Sequence, residues 1–390
     1  MSSTPSTIHL YSSSHSAKPA THHFIIYFVP GNPGLVAYYQ TFLTHLYGLL
    51  SNANTSIAGK SSSSPSSQSG SLNRNLSSRN VSFEIFGRSL SGFETNNKGQ
   101  WNKSAPYNVE QQIAQSEQVL RNVVEAAKAN GKRDVRVILM GHSLGTYICL
   151  EMIRRSREEA ASRVQMQKNG ITNRDRDESD EAKGKCNIRI VGGALLFATV
   201  VELAKSPSGV KSKHLLALPY FPLAIHLLAK LLTFFLPTFL LTSLIQLVMR
   251  FPHDGAHVTA SFVTSPHGVY QALYMANDEM TALSTDKWDA EIWGAANPST
   301  HPHSRPVLRF LFGKHDHWIA NETRDDLIKA RGTRGPQHAG HEDWRPVMEV
   351  DEEEGWEHGF CIRQSVSVAE RVKGYIDDIV RRDFEAESNS

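Results

Sequence analysis

Short uninterrupted apolar runs alternate along this chain with longer segments whose apolar residues recur every three or four positions. Residues 24–29, Phe-Ile-Ile-Tyr-Phe-Val, are rich in strand formers and end in a Gly/Pro turn. Residues 81–86, 135–140, 188–197 and 306–312 read the same way. Runs without polar alternation belong to strands covered on both faces. Between them, residues 110–130 place Ile113, Leu120, Val123, Val124 and Ala127 on one helical face. Gly131 follows, where a helix C-terminus favours glycine. Helices are also predicted over 144–155 and 365–380. Strands alternating with helices predict the α/β class, a mostly parallel sheet flanked by helices.

Four stretches break the pattern. Residues 1–20 are polar and Ser-rich and read as a tail, without the apolar centre of a signal peptide. In 51–80, twelve of thirty residues are serine, too little apolar surface to offset ordering, which predicts a flexible loop. Residues 157–185 are dense in charge, starting as helix and then solvated, and 331–355 end in the acidic run 351–354. The core is then expected in 21–200 and 251–384, with 201–250 set apart.

Charge removes one class of function. Lys plus Arg number 41 against 39 Asp plus Glu, a net +2, with no basic stripe, so phosphate neutralisation on nucleic acid is not expected. Cys149, Cys186 and Cys361 are too few and scattered for a disulfide framework or zinc site. A reduced, cytosol-facing chain follows, and no terminal retention or peroxisomal signal is seen.

The chemistry is most legible in Gly141-His142-Ser143-Leu144-Gly145, directly after the 135–140 strand and before a helix. A strand-to-helix turn this tight requires small residues two before and two after a nucleophile, and Gly141 and Gly145 stand there. Ser143 is left on a strained elbow, with the backbone N–H of Leu144 at the helix start, aimed where an oxyanion would form. A serine hydroxyl needs a base oriented by an acid, and behind such an elbow they follow in the order acid, histidine. Asp316, in the loop after the 306–312 strand, is the expected acid; Asp325 and Asp326 fall inside a predicted helix over 321–329. His338, His341 and His358 all follow Asp316. The first two lie in the polar stretch, whereas His358-Gly359-Phe360 leads into the last helix, so His358 is the expected base. His315 and His317 flank the acid as loop residues. The second oxyanion donor is expected from the backbone N–H of Asn32 in Pro30-Gly31-Asn32-Pro33-Gly34, because Pro33 has none.

Residues 215–249 carry one formal charge, Lys230. Pro237 divides the block into about 223–236 and 238–249. At about 1.5 Å per residue neither piece crosses a hydrocarbon core of about 30 Å. Catalytic elements lie on both sides of the block, so it is expected to lie on a lipid surface as a helical hairpin, or to cap the site.

These motifs together resemble the lipid droplet-associated hydrolases. The resemblance rests on Pro30-Gly31-Asn32-Pro33-Gly34 with Tyr38-Tyr39 and Phe42, the 141–145 elbow, and Leu196-Phe197-Ala198-Thr199-Val200 with Ser206-Pro207-Ser208-Gly209. It extends to residues 313–318 and to His358-Gly359-Phe360, and departs at Ala198, where the family pattern carries proline. It implies an α/β-hydrolase fold with Ser143, Asp316 and His358 as nucleophile, acid and base. It also implies location at lipid droplets and the endoplasmic reticulum membrane, anchored by the apolar block, and hydrolysis of sterol ester or acylglycerol. No metal or organic cofactor is required. The alternatives are a catalytically weak droplet-surface protein that binds lipid or partners, and an acyltransferase using the same triad.

Overall fold

A computed structural model describes residues 4–12, 20–58, 81–95, 105–168, 188–288, 292–293, 305–333 and 345–388. The apolar runs form strands β2 (His22–Val29), β3 (Val81–Arg88), β4 (Val135–His142), β5 (Arg189–Leu196) and β6 (Val307–Gly313). With β1 (Thr7–Tyr11) and β7 (Val347–Asp351) at the edges they make one sheet in the order β1-β3-β2-β4-β5-β6-β7. Every pairing is parallel except that of β1 with β3.

One sheet face is covered by α2 (Val109–Ala129) and α3 (Leu144–Lys168), the other by α1 (Gln40–Ala58) and α10 (Ser365–Ser388). The predicted face of α2 is buried as a unit, Ile113, Leu120, Val123, Val124 and Ala127 included. Its start is set by a capping box: Asn108 accepts from the N–H of Gln111, whose side chain accepts from the N–H of Asn108. Beneath the amino end of the sheet, the fully buried Arg136 of β4 pairs with Asp383 and Glu387, pinning α10 to the strand that leads into Ser143.

Several expectations need correction. Residues 7–11, expected as tail, are an edge strand. With only Ile8 buried, β1 has no apolar run to reveal it. Helix α1 continues to Ala58, into the stretch expected as loop, and α3 runs on to Lys168. Residues 59–80 and 169–187, the rest of those two stretches, lie outside the described residues. The polar 331–355 stretch contains β7, which is only half-buried at four of its five positions.

Between β5 and β6, among the described residues, the chain inserts five α-helices: α4 (Pro207–Leu216), α5 (Phe221–Thr233), α6 (Thr238–Met249), α7 (His253–Thr264) and α8 (Gly268–Ala282). The helical insertion thus runs past residue 250, where the core was expected to resume. In α5 only His226 is buried, and Leu227, Leu231, Leu232, Phe234, Phe235 and Leu247 are each more than half exposed. Lys230 turns inward and donates to the carbonyls of Thr264 and Ser265 at the end of α7. Among the described residues no single helix is long and apolar enough to cross a membrane, although α4 and α5 together pass by length and composition, bent by 92°. Helix α9 (Asn321–Arg331) follows β6.

Candidate active site

Ser143 stands between the end of β4 and the start of α3 with φ +53°, a left-handed conformation rare for a side chain larger than glycine. The flanking glycines are required by close approach. A Cβ on Gly145 would come within 2.1 Å of the Val29 carbonyl oxygen, and one on Gly141 within 2.5 Å of the Gly145 oxygen. Backbone cannot give way at such distances, so the elbow closes only with glycine at both positions. Leu144 is the first residue of α3, and its N–H has no acceptor within the helix.

The structure brings together the three residues selected from the sequence. His358, in the loop after β7, has Nε2 2.9 Å from Ser143 Oγ and Nδ1 2.7 Å from Asp316 Oδ2. Asp316, in the loop after β6, is buried, and its Oδ1 accepts the N–H of Trp318 at 2.8 Å. Buried Arg324 of α9 donates to the carbonyls of Gly313 and Lys314, holding the loop that carries Asp316. Asp351, at the end of β7, accepts the N–H groups of Glu354 and Trp356 and so shapes the turn leading to His358. The acidic run thus serves local turn geometry, and one member, Glu352, pairs outward with Lys314. His315 and His317 are exposed, as are Asp325 and Asp326 in α9; His338 and His341 lie outside the described residues.

The Asn32 loop lies against Ser143: a Cβ on Gly31 would come within 2.8 Å of Ser143 Cβ. The Asn32 side chain turns away, its Nδ2 donating to the Ala272 carbonyl and to Glu279 of α8. Both side-chain amide hydrogens of Asn32 are thus committed to α8.

Sequence reasoning missed Tyr39 and His142. The Tyr39 hydroxyl donates to His142 Nδ1 at 2.7 Å, which leaves Nε2–H to donate to the His358 carbonyl at 2.8 Å. Burial, with a smaller contribution from the neighbouring His358, holds the His142 pKa well below the usual imidazole range. A neutral ring is what this pair of bonds requires. The signal was present, a histidine inside the elbow and Tyr38-Tyr39 after the Pro/Gly loop, but nothing local says that they meet. His142→Phe keeps an aromatic ring, a larger one, and loses both bonds. It is expected to lower kcat by about 10–100-fold, with KM little changed, because the His358 backbone loses its anchor. Steady-state kinetics on a soluble ester check this.

Burial pushes the Cys361 thiol up to about 12 and the Cys149 thiol higher still, so neither supplies a thiolate near neutral pH. Among the described residues no group of three or more His, Cys, Asp or Glu side chains is placed to hold a metal ion.

A parallel sheet in this strand order, with a serine on a tight elbow after its central strand and a helical insertion before β6, is that of the α/β-hydrolases. The peroxisomal alpha-beta-hydrolase Lpx1 of Saccharomyces cerevisiae has a similar fold, with a TM-score of 0.53 at 10% identity over 96% of this chain and 82% of that one. The chain belongs to the lipid-droplet associated hydrolase family, whose profile matches residues 22–361. It is 25% identical over 303 residues to a lipid droplet-associated hydrolase of Gallus gallus, covering 77% of this chain and 72% of that protein. It is 22% identical over 311 residues to that of Mus musculus, covering 78% and 74%. Family and fold together define a hydrolase.

Proposed function

We propose that this protein is a serine ester hydrolase acting on neutral lipid, a sterol ester or acylglycerol. We place its work at the cytosol-facing surface of lipid droplets and the endoplasmic reticulum membrane. The observation that carries the reading is the chain of two hydrogen bonds from Ser143 Oγ through His358 to a buried Asp316.

In this reading Ser143 Oγ attacks the ester carbonyl while His358 Nε2 takes its proton. Asp316 holds Nδ1–H, fixing the tautomer and stabilising the imidazolium. The N–H groups of Leu144 and Asn32 receive the tetrahedral oxyanion, each worth about 3 kcal/mol to the transition state. His358 then returns the proton to the leaving alcohol, and water releases the fatty acid from Ser143 by the same steps. The chemistry needs no metal or organic cofactor.

The proposed substrate class is supported by the exposed leucine and phenylalanine side chains of residues 220–249 and by the lipid droplet in the names of the relatives. Apolar side chains exposed over two adjoining helices far exceed what scattered surface residues need to explain. We read this insertion as a cap that docks on lipid, with a neutral-lipid surface as its partner and no nucleic acid.

Labelling with a fluorophosphonate probe, with and without a lipid emulsion, tests the assignment. Labelling of wild type that disappears in Ser143→Ala is expected. Absence of labelling in both conditions would overturn the catalytic reading and favour a droplet-surface protein without turnover.

A further inference from the structure

Helix α8 buries Gln271, Met275 and Glu279, spaced four apart on one face. Gln271 Nε2 donates to the Tyr107 carbonyl at 2.7 Å, and its Oε1 accepts the Tyr107 N–H at 2.7 Å. Asp278 accepts the N–H of Val109 at 2.8 Å, in the first turn of α2. These bonds fix α8 to the core, and Glu279 then meets the loop beside the nucleophile. Asn32 Nδ2 donates to Glu279 Oε1 at 2.8 Å and to the Ala272 carbonyl at 3.0 Å, which uses both amide hydrogens. Asn32 Oδ1 is buried without a hydrogen-bond partner. A carboxylate beside it can only accept, whereas a neutral carboxyl carries an O–H that the orphaned oxygen lacks.

We propose that Glu279 is a positioning residue for the oxyanion hole: as a neutral carboxylic acid on the inserted helix, it grips both ends of the Asn32 amide and holds the Asn32 backbone N–H against Ser143. This rests on the serine-hydrolase reading of the site and extends it, because the insertion becomes part of what sets the transition-state geometry.

The chemistry of the surroundings agrees. Burial is the main cause that pushes the Glu279 carboxyl up to about 8; the Asn32 bond opposes it and the neighbouring Asp278 adds to it. Among the described residues Asp278, on the same helix, is the charged group acting on Glu279. From the β2 loop it is faced by the neutral Asn32, and α2 offers the Val109 N–H to Asp278. Below about pH 8 Glu279 is neutral and the grip is complete. Above it, the O–H is lost and an anion lies beside the unpartnered Asn32 oxygen, so Asn32 is pushed off position.

Linkage gives a second readout that does not depend on turnover. In the unfolded chain a glutamate ionises near its ordinary value of about 4.3. The native protein therefore holds an extra proton between about 4.3 and 8, and stability falls as pH rises through that window and levels off above it. Glu279→Gln removes this slope: it should melt close to wild type at pH 4 and at a higher temperature than wild type at pH 9.

The test uses the full chain, p-nitrophenyl butyrate hydrolysis from pH 6 to 9.5, thermal melts, and Ser143-dependent fluorophosphonate labelling as control. Glu279→Ala should lower kcat by about 10–100-fold with KM little changed, since one oxyanion donor loses its aim. Glu279→Gln can still donate to Oδ1 and accept from Nδ2, and should restore kcat at pH 7 to within about threefold of wild type. It should also abolish the fall in kcat near pH 8. An unchanged alkaline fall in Glu279→Gln, a loss as deep as that of Glu279→Ala, or wild-type kcat in both variants would overturn the proposal. If Glu279→Ala does not fold, the pH profile and melts of Glu279→Gln decide alone. Absent Ser143-dependent labelling of wild type overturns the serine reading, and this inference with it; labelling intact with a failed Glu279 series overturns only the latter.

Discussion

Ser143→Ala is expected to reduce kcat for ester hydrolysis by about 10⁶-fold, and His358→Ala by a similar factor. In the proposed mechanism the two act as one unit. Ser143 Oγ and His358 Nε2 are 2.9 Å apart, and a hydroxyl without its base is a poor nucleophile at neutral pH, while a base without the hydroxyl has no proton to take. The combined variant should therefore be no slower than either single one, a non-additivity that two independent contributions would not produce. Residual turnover above water, from the Leu144 and Asn32 donors, is expected in all three. Steady-state kinetics on a soluble ester read the result. Turnover near the wild-type rate in Ser143→Ala would remove Ser143 from the mechanism, and losses that multiply in the double variant would show that the two residues act independently. The elbow should survive, because Gly141 and Gly145 rather than the hydroxyl permit its closure.

Leu231→Glu, Phe235→Glu and Leu247→Glu combined should detach the protein from lipid while sparing the chemistry. The three side chains are 65%, 81% and 78% exposed, so the fold does not depend on burying them. Inserting a large apolar side chain into lipid contributes about 1.5–3 kcal/mol, so three together are worth about 5 kcal/mol or more, over a thousandfold in partition. Carboxylates would reverse that gain. Flotation with a triacylglycerol emulsion coated in phospholipid measures binding; hydrolysis of a short soluble ester measures the site. Lost flotation with a soluble-ester kcat near wild type is the expected pair. Unchanged flotation would show that residues 220–249 do not dock on lipid. The contrast with Ser143→Ala, which should float normally, separates docking from catalysis.

Glu279 complicates a clean division between the two. Its helix belongs to the same insertion as the exposed face, and it is bonded to the loop that carries Asn32. The proposed lipid docking and the proposed oxyanion geometry would thus be joined through one helical segment, and changes at the α5–α6 tip are best kept to exposed side chains.

Sequence alone determined the features whose causes are local. Buried parallel strands must be uninterrupted apolar runs, so β2, β4 and β6 are legible as such. A strand-to-helix elbow must have glycine within two residues of the nucleophile on either side, so Ser143 is legible from five positions. The order acid then histidine, with Asp316 at a strand end and His358 before the last helix, follows from chain position. What only the tertiary structure decided are the features whose causes are distant or faint. Edge strands β1 and β7 bury too little to leave an apolar pattern, and helix α1 runs through serines because its packing is set earlier in the chain. His142 and Tyr39 become partners across 103 residues of chain, and Asn32 and Glu279 across 247. A buried polar group must find its partner wherever the folded chain supplies one, and spacing along the sequence carries no record of that choice.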